Sequence, residues 1–255
     1  DGVTMRTGLV SISFRKHTTA EVAKASAAAG LECIEWGGDI HVPHGDLTAA
    51  REAAAITQDA GLAVSSYGSY LRLGEPDQPD HRAVVDTALA LGAPIIRVWA
   101  GKRASKDATD QYRAWVVEET LRLAEMVAAA GIKIAFEYHG NTLTDTRDSA
   151  KRFFEETAHP AAKTFWQPPQ RMETEECVLS LEEALPYLAN VHVFYWWPDA
   201  KHRRPLADGM DRWRRFVSQI CSYGADPDLL LEFMPDDSIT SLSTEAATLR
   251  RLVTE

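Results

Sequence analysis

Gly131-Ile132-Lys133-Ile134-Ala135-Phe136-Glu137-Tyr138 follows a long Ala-rich stretch, Asp107 to Ala130, that carries Val117, Leu121, Ala124 and Ala128 at helical spacing. The passage reads as a helix with an apolar stripe, a glycine suited to a left-handed C-cap, and a short strand of aliphatic and aromatic residues. Outward from it the same unit recurs along the chain. Apolar runs stand at Leu9–Phe14, Cys33–Trp36, Ala63–Tyr67, Ile95–Trp99, Ile132–Tyr138, Lys163–Trp166, Val191–Tyr195 and Leu229–Phe233, eight in all. Helix-period segments lie between them. In the clearest, Trp213, Phe216, Val217 and Ile220 share a face and Asp211 reads as the N-cap; Asp145 reads as the N-cap of the helix after the fifth strand. Gly30, Gly61, Gly92, Gly131 and Gly224 stand where helix C-caps belong.

Eight strands, each followed by a helix, in 255 residues predict an α/β chain folded as a (β/α)8 TIM barrel: a parallel eight-stranded barrel inside outer helices, a single domain over residues 1–255. The rival, a doubly wound open sheet, needs a Gly-rich phosphate turn after its first strand. Here that strand runs into Ser13-Phe14-Arg15-Lys16-His17.

Hydrophobic residues make up 45% and charged residues 25%, a balance that excludes disordered and fibrous classes. No apolar run approaches the ~18 to 20 residues of a membrane span. Asp1 to Arg6 has neither the basic head nor the apolar run of a signal peptide, and Met5 reads as the natural start. Cys33, Cys177 and Cys221 are widely spaced and odd in number, which points to a reducing cytoplasm rather than a disulfide framework. Lys+Arg 27 against Asp+Glu 37 gives net −10, the wrong sign for a nucleic-acid backbone binder. The sequence leaves the oligomeric state open, a homo-oligomer included.

In a TIM barrel the chemistry sits at the C-terminal ends of the strands, and strand parity sorts inward from outward side chains. By that rule Glu35, Arg97, Trp99, Glu137, Gln167, His192 and Glu232 all project toward one mouth. Three carboxylates crowded in a partly apolar cavity repel unless a cation joins them. Carboxylate, amide oxygen and imidazole together suit Mn²⁺, Mg²⁺, Co²⁺ or Zn²⁺. Either a salt bridge, with Arg97 neutralising Glu35, or a substrate contact accounts for Arg97. His41 and His44 follow the second strand toward the mouth, and His41 reads as a substrate contact. The run Lys201-His202-Arg203-Arg204 leaves the His192 strand at the active end, where Arg203 and Arg204 can clamp a phosphate or carboxylate or simply form a solvated face. Phe14, Trp99 and Trp196 are candidates for a sugar-stacking wall. His17, His139 and His159 show no convergent partner and read as structural or exposed.

Gly30-Leu31-Glu32-Cys33-Ile34-Glu35-Trp36, Ile134-Ala135-Phe136-Glu137, Val191-His192-Val193 and Leu230-Leu231-Glu232, in that order on strands two, five, seven and eight, resemble the xylose isomerase-like TIM barrel family. That family includes sugar isomerases, ketose 3-epimerases, inosose dehydratases and abasic-site endonucleases. The resemblance implies that Glu137 and Glu232 bind a divalent metal and move substrate protons, with His192 as a further ligand. It implies an isomerase or epimerase of a sugar, sugar phosphate or polyol ketone, acting by proton abstraction alpha to a carbonyl through an enediolate. Where the family has Asp-x-x-His on its sixth strand, this chain has Gln167-Pro168-Pro169-Gln170, so Gln167 stands at a metal position and Gln170 at a substrate position, neither bringing charge. Three other readings stay open: a dehydratase of an inosose or dehydroshikimate-like acid, a phosphodiesterase of the abasic-endonuclease type, and a metal-free, non-catalytic sugar-binding barrel.

Overall fold

Each of the eight apolar runs overlaps a barrel strand in the computed structural model, which describes residues 4–255. The strands are β1 (Thr7–Val10), β2 (Cys33–Gly37), β3 (Ala63–Arg72), β4 (Ile95–Trp99), β5 (Lys133–Glu137), β6 (Ala162–Trp166), β7 (Leu188–Val193), a hairpin of β8 (Tyr195–Trp196) and β9 (Arg203–Arg204), and β10 (Asp228–Leu231). The helices are α1 (Thr19–Ala28), α2 (Leu47–Asp59), α3 (His81–Leu91), α4 (Asp110–Ala129), α5 (Arg147–Glu156), α6 (Thr174–Ala184), α7 (Met210–Tyr223) and α8 (Leu242–Thr254). β1 pairs in parallel with both β2 and β10, closing the barrel, so no barrel strand is left as an open edge. The segment before Met5 falls largely on residues 1–3, outside the described residues. Among the described residues no helix is long and apolar enough to cross a membrane.

Side-chain alternation divides the core in two. Ile134 and Phe136 of β5 face the helices and join the large outer core, while Ala135 packs inside with Val10, Cys33, Phe165 and Leu230. Gly8 lies where these inner side chains meet: a Cβ there would stand 2.5 Å from the Cys33 carbonyl oxygen and 2.7 Å from Leu230. One irregularity bears on the site. Ile34 pairs with Val64 but Glu35 pairs with Ser66, so Ser65 is an extra residue in β3. The bulge turns two consecutive serines to the barrel interior, where Ser65 donates to Asp228 and Ser66 donates to Glu35.

Several local expectations are corrected. The first run ends as a strand at Val10 and continues as a 3₁₀ turn over Ser11–Phe14. The buried stripe of α4 is Val116, Thr120, Leu123, Ala124 and Val127, with Ala128 exposed. Hydropathy misses it because Thr120 is polar, yet its hydroxyl donates to the Val116 carbonyl at 2.7 Å and so can be buried. Thr146, not Asp145, caps α5 by accepting from Ser149 N. Gly209 precedes α7, leaving Asp211 in the first turn, where its charge complements the helix dipole. The five glycines expected beyond helices all lie in the left-handed region, with φ between 76° and 86°.

Candidate active site

The C-terminal ends of the barrel strands open on a cleft of about 590 Å³, with Arg97, Trp99, Glu137, Gln167 and Glu232 among its lining residues. Three of its floor groups, Glu137, Gln167 and Glu232, converge on one point with His192, which is fully buried just beneath them. His192 Nδ1 stands 3.2 Å from Gln167 Oε1, 3.3 Å from Glu232 Oε2 and 3.7 Å from Glu137 Oε1. Gln167 is oriented for this by its other end, since Nε2 donates to the Tyr138 carbonyl at 2.7 Å. Glu137 is held likewise: Trp99 Nε1 donates to Oε2 at 3.0 Å, and Arg97 Nη1 donates to the same oxygen, leaving Oε1 free toward the cluster. Beneath, Glu35 accepts from Arg97 Nε at 3.1 Å and faces His192 Nε2 at 3.4 Å.

Burial resists charge on each of these groups, and the neighbours decide the outcome. Arg97 outweighs burial at Glu137 and holds its carboxyl well below the usual range; Glu35 is lowered against burial by Arg97 and then His192. Burial pushes Glu232 up to about 7; His192 opposes the rise and Glu137 adds to it. Burial alone would lower His192, but Glu232 and Glu35 carry it up to about 10.

A divalent cation fits this donor set. The ligand atoms of Glu137, His192 and Glu232 lie within 4.8 Å of one another, and Gln167 Oε1 adds a neutral oxygen. The charges of two carboxylates and one divalent ion cancel, and the Nε2 contact to Glu35 is the outer carboxylate that imidazole ligands commonly keep.

The other residues singled out from the sequence separate into three groups. Arg97, Trp99, Gln170, Trp196 and Arg203 line the cleft, Gln170 with its Oε1 accepting from Ala200 N at 3.2 Å. Glu35 is fully buried under the floor and does not line it. His41, Arg204 and Phe14 are elsewhere. His41 is bound across to the β1–α1 connection, to Ser11 Oγ at 3.1 Å and the His17 carbonyl at 2.8 Å, and packs on Trp36. Arg204 is exposed and donates to the Trp197 carbonyl, because the β8–β9 hairpin turns neighbouring residues to opposite sides. Phe14 is carried into the core by the 3₁₀ turn, and Ile12 takes its place at the cleft.

Sequence reading missed His139, Tyr70, Arg15 and Arg171 at the cleft wall. His139 packs on Trp99 with ring centroids 5.6 Å apart, and Nδ1 donates to the Gly140 carbonyl at 2.7 Å, leaving the Nε2 lone pair unclaimed. Its position two residues past Glu137, the same parity, was the signal available. Arg15, Arg171 and Arg203 come from three different strand-end loops, each tied to a loop aspartate: Asp39, Asp199 and Asp237.

A family model described as the xylose isomerase-like TIM barrel matches residues 23–252. A 3-dehydroshikimate dehydratase of Bacillus anthracis is 27% identical over 170 residues, 62% of this chain, and the chain spans 60% of that relative's length. The crystal structure of a probable 3-dehydroshikimate dehydratase of petrobactin synthesis from the same organism superposes with a TM-score of 0.80 at 20% identity, covering 96% of this chain and 99% of that one. A xylose isomerase-like TIM barrel protein from Mycobacterium smegmatis, in complex with magnesium, gives 0.75 at 16% identity over 98% and 97%. D-psicose 3-epimerase in the presence of D-fructose gives 0.72 at 14% identity over 97% and 98%. At such identities the structural likeness concerns the fold alone.

Proposed function

This chain belongs to the xylose isomerase-like TIM barrel family, and from that premise we propose that it is a metal-dependent isomerase or epimerase of a sugar or related polyol ketone. The observation that carries the reading is the convergence of Glu137 Oε1, Gln167 Oε1, His192 Nδ1 and Glu232 Oε2 on one point at the cleft floor. A divalent cation bound there supplies a Lewis acid for a substrate carbonyl and its adjacent hydroxyl.

This chain's residues supply the rest. Arg97 and Trp99 keep Glu137 ionised and fixed, so it can receive the proton alpha to the carbonyl. Glu232, just past the end of β10, faces the same cluster with Oε2 3.3 Å from His192 Nδ1 and can return a proton to the opposite face. His139 Nε2 offers an acceptor for a substrate hydroxyl. The aromatic wall of Phe194 and Trp196, stacked at 3.6 Å, gives a ring or carbon chain an apolar surface.

A second reading, dehydration of a hydroxylated keto acid, is favoured by the three arginines around the cleft and by the dehydratase relative. Both reactions begin with the same proton abstraction and differ in the second step: a return of the proton, or loss of a β-hydroxyl. The test is incubation with Mn²⁺ in D₂O of a ketohexose panel and of 3-dehydroshikimate. Deuterium entering the ketose alpha to its carbonyl supports the isomerase or epimerase; a new ultraviolet chromophore from the acid supports the dehydratase. If the purified protein binds neither Mn²⁺ nor Zn²⁺ at millimolar concentration, the non-catalytic sugar-binding barrel replaces both. The phosphodiesterase reading needs a multinuclear site, whereas the described residues bring three His and Glu ligands together, enough for one ion.

A further inference from the structure

Glu35 differs from the other carboxylates at the strand ends. It is 0% exposed and does not line the cleft, yet of its three partners Arg97 lines the cleft and His192 faces the cluster. Oε1 faces His192 Nε2 at 3.4 Å and accepts from Ser66 Oγ at 3.0 Å, while Oε2 accepts from Arg97 Nε at 3.1 Å. Arg97 carries the link onward to Glu137 Oε2. The fold makes room for this arrangement. The β3 bulge delivers Ser66, and a Cβ on Gly68 would stand 2.7 Å from Arg97 Nη2 and 3.3 Å from Glu35 Oε2. Removing a carboxylate and a guanidinium from water is costly, and Glu35 sits where no substrate reaches it.

We propose that Glu35 is a positioning residue that sets which nitrogen of His192 and which oxygen of Glu137 face the cluster. The proposal rests on the reading of the cluster as a divalent-cation site. An imidazole whose Nε2–H is donated to Glu35 presents Nδ1, and only Nδ1, to Gln167, Glu232 and Glu137. Arg97, braced on Glu35, and Trp99 occupy Glu137 Oε2 and leave Oε1 for the cation. One buried charge thus orients two ligands from below. An amide at position 35 cannot do this, since His192 Nε2–H and Arg97 Nε–H both need acceptors and the amide has one oxygen.

The test compares wild type with Glu35→Gln in calorimetric titration with Mn²⁺ and in ¹⁵N-resolved imidazole spectra of the Zn²⁺-loaded protein. Mn²⁺ affinity is expected to fall about 10- to 100-fold, as for other outer carboxylates, and the protected Nε2–H signal of His192 to be lost. A Glu35→Gln protein with native circular dichroism, Mn²⁺ affinity within about twofold of wild type and an unchanged His192 spectrum overturns the proposal. If wild type itself binds no metal, the cation reading fails separately. The metal-free spectrum then decides the role of Glu35: a protected Nε2–H lost in the variant supports it, and the same signal in both proteins refutes it. Should Glu35→Gln not fold, Ser66→Ala removes one hydrogen bond to Oε1 and leaves every charge in place. An affinity about fivefold lower, the worth of that bond, is expected, and unchanged affinity and spectrum overturn the idea.

Discussion

Arg97 at the cleft floor is 2% exposed between Glu35 and Glu137, whereas at the rim Arg171 meets Asp199 with its side chain 72% exposed. Chemically the two pairings are alike. The buried one has no water to fall back on, so its geometry is enforced and each partner depends on the others. At the rim the guanidinium is in water and can turn to a ligand anion, while the buried Asp199 keeps Lys201 N and His202 Nδ1 as partners. Arg15 and Arg203 at the rim, 50% and 30% exposed, share that freedom. Floor charge therefore holds the proposed catalytic atoms in place, and rim charge is exposed to any ligand anion.

The strongest way to break this contrast is at the floor carboxylates. Glu137→Gln and Glu232→Gln are each expected to lower turnover by about 10³-fold or more while leaving the circular dichroism intact, given the worth of a positioned proton-transfer group. Near-wild-type rates in either variant on an identified substrate defeat the two-base mechanism. Next, Arg97→Leu is expected to destabilise by about 3 to 5 kcal/mol because it strands buried carboxylates. Arg171→Leu should cost less than about 1 kcal/mol. Urea unfolding of the two variants side by side measures the difference, and equal losses would erase the distinction between floor and rim.

Protonation sharpens the comparison further. Glu232 and His192 both have folded-state values raised, to about 7 and about 10, above the ordinary 4.5 and 6.5. The folded protein then holds protons that the unfolded chain has released, so their contribution is full below the ordinary values and is lost as pH rises through about 5 to 10. Metal-free protein should show a falling Tm across that window relative to His192→Asn, and saturating Mn²⁺ should flatten or reverse the slope as the cation replaces the protons. A parallel pH dependence in both proteins counts against the assignment.

Gln167→Asp adds one charge to a shell that is neutral with a divalent ion. Mn²⁺ binding should tighten by at most roughly a few kcal/mol near a partly solvated site, read by calorimetry; looser binding would place the amide outside the shell. Smallest is the rim. With an anionic substrate, Arg203→Ala combined with Arg204→Ala should raise KM more than it lowers kcat, with Arg203 accounting for the change since Arg204 points away. An unchanged KM assigns both arginines to the solvated face.

By itself the sequence determined the barrel and the parity of its strand ends. Short, nearly continuous apolar runs, separated by helix-period segments and glycines, allow few other parallel closures, and side-chain alternation placed Glu137, Gln167, His192 and Glu232 on the inward side. Both signals are local, carried by neighbours within a turn or a pleat. Depth and loop path are not local. Glu35 shares that inward parity yet lies under the floor, because barrel stagger and the extra Ser65 in β3 set its height relative to strands up to 157 residues away. His41 turned to the neighbouring β1–α1 connection and Arg204 to the far side of a hairpin, while His139, Arg15 and Arg171 came to the cleft. These outcomes depend on which backbone groups each loop had to satisfy once the barrel closed, a condition that exists only in the folded chain.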